Sequence, residues 1–283
     1  MQVAHIIIHT LKDGIRLFPF LFIVFLIIEY IEHKFNNKSE DIISKSGKYG
    51  PIIGALFGLF PQCGFSVIAT NLYITRIISL GTLIAVYLST SDEMLPILIS
   101  NQVDIKLILK ILLIKFIIGM FFGLIIDFII RKLNIKFKKD YSICKQDKCG
   151  CEHKNIFVSS LIHTVKILSF LILVTFVLNV IMTYLGKDFI TKSFLNNSFF
   201  SPFLTSLVGL IPNCSASVIL TELYINNGIS FAGLIAGLLT GSGVGILVLL
   251  KSNRNVKENL FILALIYLIG SFSGIIINLI GLL

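Results

Sequence analysis

"GLFPQCGFSVIATNLY" (residues 58–73) and "GLIPNCSASVILTELY" (residues 209–224) lie 151 positions apart and decide how this chain is read. Each sets a proline, a side-chain amide and a cysteine inside an apolar run: Pro61, Gln62 and Cys63 in the first, Pro212, Asn213 and Cys214 in the second. Proline withholds a backbone donor and ends a helix. Each run therefore reads as two short helical arms flanking a polar break.

The correspondence spreads outward from these elements. "GTLIAVYLST" (81–90) matches "GLIAGLLTGS" (233–242), "GMFFGLIIDFI" (119–129) matches "GSFSGIIINLI" (270–280), and "HTLK" (9–12) matches "HTVK" (163–166). The chain divides into a first repeat over 1–131, a polar linker over 132–154 and a second repeat over 155–283. Internal repeats of this kind are the usual architecture of secondary transporters.

Composition places the repeats in a bilayer. Of 283 residues, 55% are hydrophobic and only 14% charged, where a soluble domain carries about 25% charged residues. Mean hydropathy is +0.93. Apolar stretches at 17–28, 78–88, 107–126, 167–182, 229–250 and 260–282 reach or approach the ~20 residues that cross a membrane. The expected fold is all-α: a polytopic integral membrane protein of two inverted repeats, each with three spans plus a re-entrant or broken-helix hairpin. The Pro–Cys element over 50–76 has arms of about a dozen residues, roughly 18 Å each, so two crossings of a ~30 Å core do not fit. It is a re-entrant hairpin or a broken helix that crosses once.

Charge placement favours the hairpin. With hairpins each repeat crosses an odd number of times, which collects Lys34, Lys38, Lys45, Lys48, Arg76, the linker, Lys251, Arg254 and Lys257 on one side. The other side receives 101–104 and 226–228, without Lys or Arg, and 186–201, with Lys187 and Lys192. The positive-inside rule makes the basic side cytoplasmic, for a multi-pass protein of the cytoplasmic membrane. Loop placement thus accounts for the net charge of +9 without nucleic acid. No cleavable signal peptide is expected, because His5, His9, Lys12, Asp13 and Arg16 interrupt the first stretch.

In this arrangement the Pro–Cys breaks reach the bilayer middle, where non-helical backbone survives only if protein or water satisfies it. Cys63 and Cys214 fall at the start of second arms, where the helix dipole favours the metal-binding thiolate. The plainer role for either is a small buried hydrophobe. "STSDEMLP" (89–96) puts Asp92 and Glu93 beside Ser89, Thr90 and Ser91 near the middle of a span over 79–100. Carboxylates at that depth mark ion pathways or proton relays; the alternative is a structural ion pair, with Lys115 as partner. As neighbours on one helix they point ~100° apart, and Asp92, the shorter, is the expected ligand. The second repeat has Gly243 and Val244 in their places and contributes Thr240 and Ser242. Gln62 and Asn213 complete the expected pathway.

Three further clusters carry charge or soft ligands. Glu29, Glu32 and His33 in "EYIEHK" (29–34) form a solvated helix end or a cation-collecting vestibule. His5, His9, Lys12, Asp13 and Arg16 share one helical stripe, of which His9 and Lys12 recur as His163 and Lys166. In "CKQDKCGCEHK" (144–154), Cys144, Cys149, Cys151 and His153 suit a thiophilic metal such as Zn²⁺ or Cu⁺. A cytoplasmic loop would keep these thiols reduced. No cofactor is required beyond a metal ion in that linker. "GMFFG" and "GSFSG" are small-residue packing faces.

These motifs resemble a known family. "LFPFLFIVFLIIEYIEHK", "GLFPQCGFSVIATNLYITRIISLGTLIAVYLSTSDEMLPIL" and "LVGLIPNCSASVILTELY", with the Cys/His linker, are similar to the ten-span heavy-metal exporters. Members of that family are labelled arsenic-efflux proteins or manganese transporters, and the resemblance covers nearly the whole chain. It implies export of manganese, another divalent heavy metal or arsenite.

The expected function is secondary transport, an ion or proton exchanged for the exported ion. There is no GxxxxGK[ST] stretch for ATP hydrolysis. Expected partners are the transported ion, the lipid bilayer and, as an open option, a second copy of the chain. An enzyme is not expected: a cysteine-dependent intramembrane enzyme needs a histidine beside a cysteine, and the five histidines lie at span ends or in the linker. A membrane subunit without transport of its own is the other alternative.

Overall fold

A computed structural model describes residues 15, 18, 19, 22, 23, 25, 26, 49–62, 64–91, 93–133, 156–181 and 200–281. Among the described residues every regular element is a helix. In order these are α1 (Gly50–Gly58), α2 (Gly64–Ile74), α3 (Leu80–Ser89), α4 (Met94–Ser100), α5 (Ile105–Lys132), α6 (Ile156–Ile181), α7 (Ser201–Gly209), α8 (Cys214–Ile225), α9 (Phe231–Thr240), α10 (Gly245–Ser252) and α11 (Val256–Ile280).

Among the described residues five stretches are long and apolar enough to cross a membrane: Leu80–Ser100, Ile105–Lys132, Phe157–Val177, Phe231–Ser252 and Val256–Ile280. Between their ends, the large exposed side chains of α5 and α11 are apolar, among them Leu109, Leu113, Phe121, Leu260, Leu268 and Phe272, as helices facing lipid require. The arms α1, α2, α7 and α8 have 9, 11, 9 and 12 residues, too few to cross at 1.5 Å per residue.

Two of the spans are interrupted, which corrects the expectation of one continuous helix over 79–100. The first stops at Ser89, leaves helical geometry at Thr90 (ψ 127°) and resumes at Met94. The second stops at Thr240 and resumes at Gly245. Elements 151 positions apart are built alike. Ser79 and Ser230 cap α3 and α9, each accepting from a backbone N–H at 3.1 Å. Arg76 and Asn227 take left-handed φ values of 59° and 57°, and there Ile77 N and Gly228 N donate back to Leu72 O and Leu223 O at 2.8 and 2.7 Å. At the hairpin tips Gln62 N and Asn213 N donate to Phe60 O and Ile211 O at 2.8 and 2.7 Å.

Helices α1, α3 and α5 pack as one group, and α7, α9 and α11 pack as another in the same pairing. Small residues let the backbones meet: a Cβ on Gly123 would lie 2.7 Å from Gly81 O, and one on Gly274 would lie 2.6 Å from Ala236 Cβ. The "GMFFG" and "GSFSG" faces serve this packing. Asp127 closes the start of α3, accepting from Ser79 Oγ at 2.5 Å and Gly81 N at 2.8 Å; a carboxylate suits the positive end of a helix.

Helix direction follows from the same close approaches. A Cβ on Gly50 would lie 2.4 Å from Thr82 Oγ1, and one on Gly58 would lie 2.0 Å from Ser89 Oγ, so α1 runs alongside α3 in the same sense. The chain re-enters α3 at its first turn, hence α2 must return to the end where α1 began. The segment is a hairpin with its tip level with the break in α3. In the second repeat a Cβ on Gly233 would lie 2.5 Å from Ser201 Oγ, and one on Gly209 would lie 2.2 Å from Thr240 Oγ1. That is the same relationship.

The second arms are exchanged between groups: α2 packs on α10, and α8 on α4. A Cβ on Gly245 would lie 2.9 Å from Ser66 Cβ, and Thr70 Oγ1 lies 3.2 Å from Gly245 O. Helix α6 covers this pair, with Ile167 and Leu171 joining Val67, Val244, Leu247 and Phe25 in one buried cluster.

Candidate functional site

The breaks of both repeats are drawn to one level of the bundle. Gly58, at the first hairpin tip, abuts Ser89 and Val86 at the end of α3. Gly209, at the second, abuts Thr240 and Gly237 at the end of α9, where Thr240 Oγ1 donates to Ser206 O at 2.9 Å. Lys115, fully buried on α5, joins the two: its Nζ donates to Thr90 O and, at 2.9 Å, to Leu238 O.

The lining of these breaks is oxygen-rich. Ser89, Thr90, Ser91, Thr240 and Ser242 are all buried. Four of the hydroxyls donate to backbone oxygens: Ser89 to Ala85 at 2.8 Å, Thr90 to Val86 at 2.8 Å, Ser91 to Ser89 at 3.1 Å and Thr240 to Ser206 at 2.9 Å. Their lone pairs remain as acceptors. Ser242 Oγ is buried with no hydrogen-bond partner among the described residues.

The tips differ between repeats. Asn213 is buried, caps α8 and accepts from Ser215 N at 3.3 Å. Cys214 is the first residue of α8 and half-buried, which matches the placement read from the sequence. Gln62 is half-buried, and its neighbours Phe60 and Pro61 are exposed; Phe57, Phe60 and Phe65 stack with centroids 5.5–6.4 Å apart. The first tip is therefore the more open one.

Glu93 stands in the break just before α4, with φ −78°. Cys63 and Asp92 lie outside the described residues, as do Glu29, Glu32, His33, Cys144, Cys149, Cys151, His153 and the stripe His5, His9, Lys12, Asp13 and Arg16. His163 is fully buried and stacks on Phe25 with centroids 5.7 Å apart. Among the described residues no three His, Cys, Asp or Glu side chains converge.

Two polar clusters were not anticipated. Thr70 Oγ1 meets Tyr87 Oη at 2.5 Å and also donates to Ser66 O at 2.6 Å, tying α2 to α3 beside the break that opens α10. At the far end of α2, Glu258 accepts from Tyr73 Oη, from Arg76 at 2.8 and 3.0 Å, and from Asn255 Nδ2 at 3.3 Å. The first had a trace in the sequence, since Thr70 recurs as Thr221. The second joins residues 182 positions apart, and no local pattern announces it.

Apolar spans, paired interruptions and buried polar groups at their breaks define a multi-pass helical membrane protein. Residues 2–189 and 152–282 match the model of the family described as "Putative, 10TM heavy-metal exporter", and the chain belongs to that family. No curated protein and no solved structure matches it.

Proposed function

We propose that the chain exports a metal or metalloid ion across the cytoplasmic membrane, in exchange for a proton or another ion, through the meeting place of its helix breaks. The observation that carries this reading is the pair of interrupted spans, each with buried hydroxyls at the break and a hairpin tip against it. Discontinuous helices of this kind form ion sites in secondary transporters.

In this reading the repeats, 1–131 and 155–283, are inverted and the hairpins re-entrant. Support comes from Arg76, just before α3 begins, meeting Glu258, just after α10 ends; the interrupted spans then run in opposite senses. Arg76, Arg131, Lys132, Lys251, Arg254 and Lys257 gather at that end, against Lys106 and Lys110 toward the other among the described residues. That bias favours a cytoplasmic basic end.

Asp92 and Glu93 would hold the cation or the exchanged proton, with Gln62, Cys63, Ser89, Thr90, Ser91, Asn213, Cys214, Thr240 and Ser242 around them. Hydroxyls whose hydrogens are committed to backbone oxygens present lone pairs, which suit a hard cation such as Mn²⁺; the two thiols suit arsenite or a softer ion. Glu29, Glu32 and His33 would collect cations at the mouth. The linker set Cys144, Cys149, Cys151 and His153 would bind a metal ion without forming the path, so replacing all four with serine should remove that metal and spare flux.

The test is flux into liposomes containing only this protein, across Mn²⁺, Zn²⁺, Co²⁺ and As(III). Protein-dependent movement of one or more is expected. Movement of none by folded protein would leave the non-transporting subunit in its place.

A further inference from the structure

Lys115 lies between backbone oxygens of both repeats. Its side chain is 0% exposed at the middle of α5. Both carbonyls it reaches, Thr90 O and Leu238 O, sit at the C-terminal end of an interrupted helix, one from each repeat. Leu238 O lacks its ordinary helical donor, because Ser242 N turns instead to Thr240 O at 2.9 Å. Helix C-termini carry partial negative charge, and carbonyls at this depth have no water to satisfy them. Two such ends aimed at one point need a cation between them. The position 151 residues on is Ile266, also 0% exposed, so the bundle receives one such charge, not two.

We propose that the Lys115 ammonium is a built-in monovalent cation. It stands where the two broken spans would otherwise require a bound Na⁺ or K⁺, and it holds the repeats in register whatever the ionic composition outside. The inference deepens the transport reading, because a dissolved monovalent cation is then not needed at this point of the cycle.

The experiment replaces the tethered charge with a free one. Lys115→Ala leaves room beside the two carbonyls; Lys115→Met refills that volume with an apolar chain. Thermal unfolding of the full-length protein in detergent is followed in choline chloride and in chlorides of Na⁺, K⁺ and methylammonium. Lys115→Ala should melt lower than the native protein in choline and regain about 5 °C or more with a saturating small cation. The native protein and Lys115→Met should respond alike and weakly to the change of salt. Recovery of folded Lys115→Ala only from buffers containing Na⁺ or methylammonium would be the same result in stronger form. Equal melting of Lys115→Ala in all four salts overturns the proposal. So does an equal gain by Lys115→Met, or failure of Lys115→Ala to fold in any salt while Lys115→Met folds. Melting needs no transport, so these outcomes are separate from the success or failure of the flux assay.

Discussion

Arg76 holds Glu258 with both prongs of its guanidinium, Nη1 to Oε1 at 2.8 Å and Nη2 to Oε2 at 3.0 Å, and so fastens the end of α2 to the first turn of α11. The carboxylate is 3% exposed and the guanidinium 17%. Truncating the arginine strands the more deeply buried of the two charges, whereas neutralising the glutamate leaves a guanidinium that still reaches solvent. Arg76→Ala should therefore cost about 3 kcal/mol, and Glu258→Gln less, since Tyr73 and Asn255 can still bond its side chain. The double variant should lose less than the sum of the two. Denaturant unfolding of the three variants in detergent checks the cycle; strict additivity would show that the pair does not interact.

Hairpin seating predicts an asymmetry between equivalent glycines. A Cβ on Gly58 meets the side chain of Ser89 first, at 2.0 Å, and Val86 O at 2.7 Å; one on Gly209 meets backbone first, Gly237 O at 2.1 Å. A hydroxyl can be removed, but a backbone oxygen cannot. Gly209→Ala should destabilise more than Gly58→Ala, and Ser89→Ala should partly rescue Gly58→Ala. Thr240→Ala should do less for Gly209→Ala. Melting temperatures of the five proteins decide it.

Sidedness is open to direct labelling. Asn226 and Arg254 are both exposed, one after α8 and the other before α11. With inverted repeats, a cysteine at Arg254 should react with an impermeant maleimide only from the cytoplasm, and one at Asn226 only from outside. Labelling of both from one side would remove the inverted arrangement.

Substitution at the first break separates the candidate ions. Asp92→Asn keeps shape and should still insert, yet should slow cation flux roughly tenfold or more, the factor that about 1.4 kcal/mol of lost ion–carboxylate attraction produces. Glu93→Gln should be milder; the reverse order would reassign the ligand. Cys63→Ser should cripple export of arsenite or another soft ion while Mn²⁺ flux largely persists, because oxygen can stand in for sulfur only with a hard ion.

The repeat motifs were open to sequence reading wherever local chemistry wrote them. Proline at 51, 61, 202 and 212, the caps Ser79 and Ser230, and the glycine pairs all act within a few residues of themselves. The interruptions at 90–93 and 241–244 were harder, because 80–89 and 94–100 are each apolar and read together as one span. Gly241 and Gly243 were a signal for the second break, while the first is marked only by Thr90 and Ser91. Lys115 entered the sequence reading only as the alternative partner of Asp92 and Glu93, since charge is what a sequence displays. The carbonyls it reaches belong to residues 25 and 123 positions away, and backbone oxygens look identical at every position.

The exchanged arms set a timetable for synthesis. Thr70 of α2 meets Gly245 at the head of α10, 175 residues later in the chain. At ribosomal rates of about 5–20 residues per second, α2 waits roughly 10–35 seconds for that partner to be made. During that interval Thr70 has its partners Ser66 O and Tyr87 Oη, both in its own half, but the face that α10 will cover has no helix against it. The second arm of the first hairpin is thus made well before the helix it packs on, and its final seating has to wait for the second half of the chain.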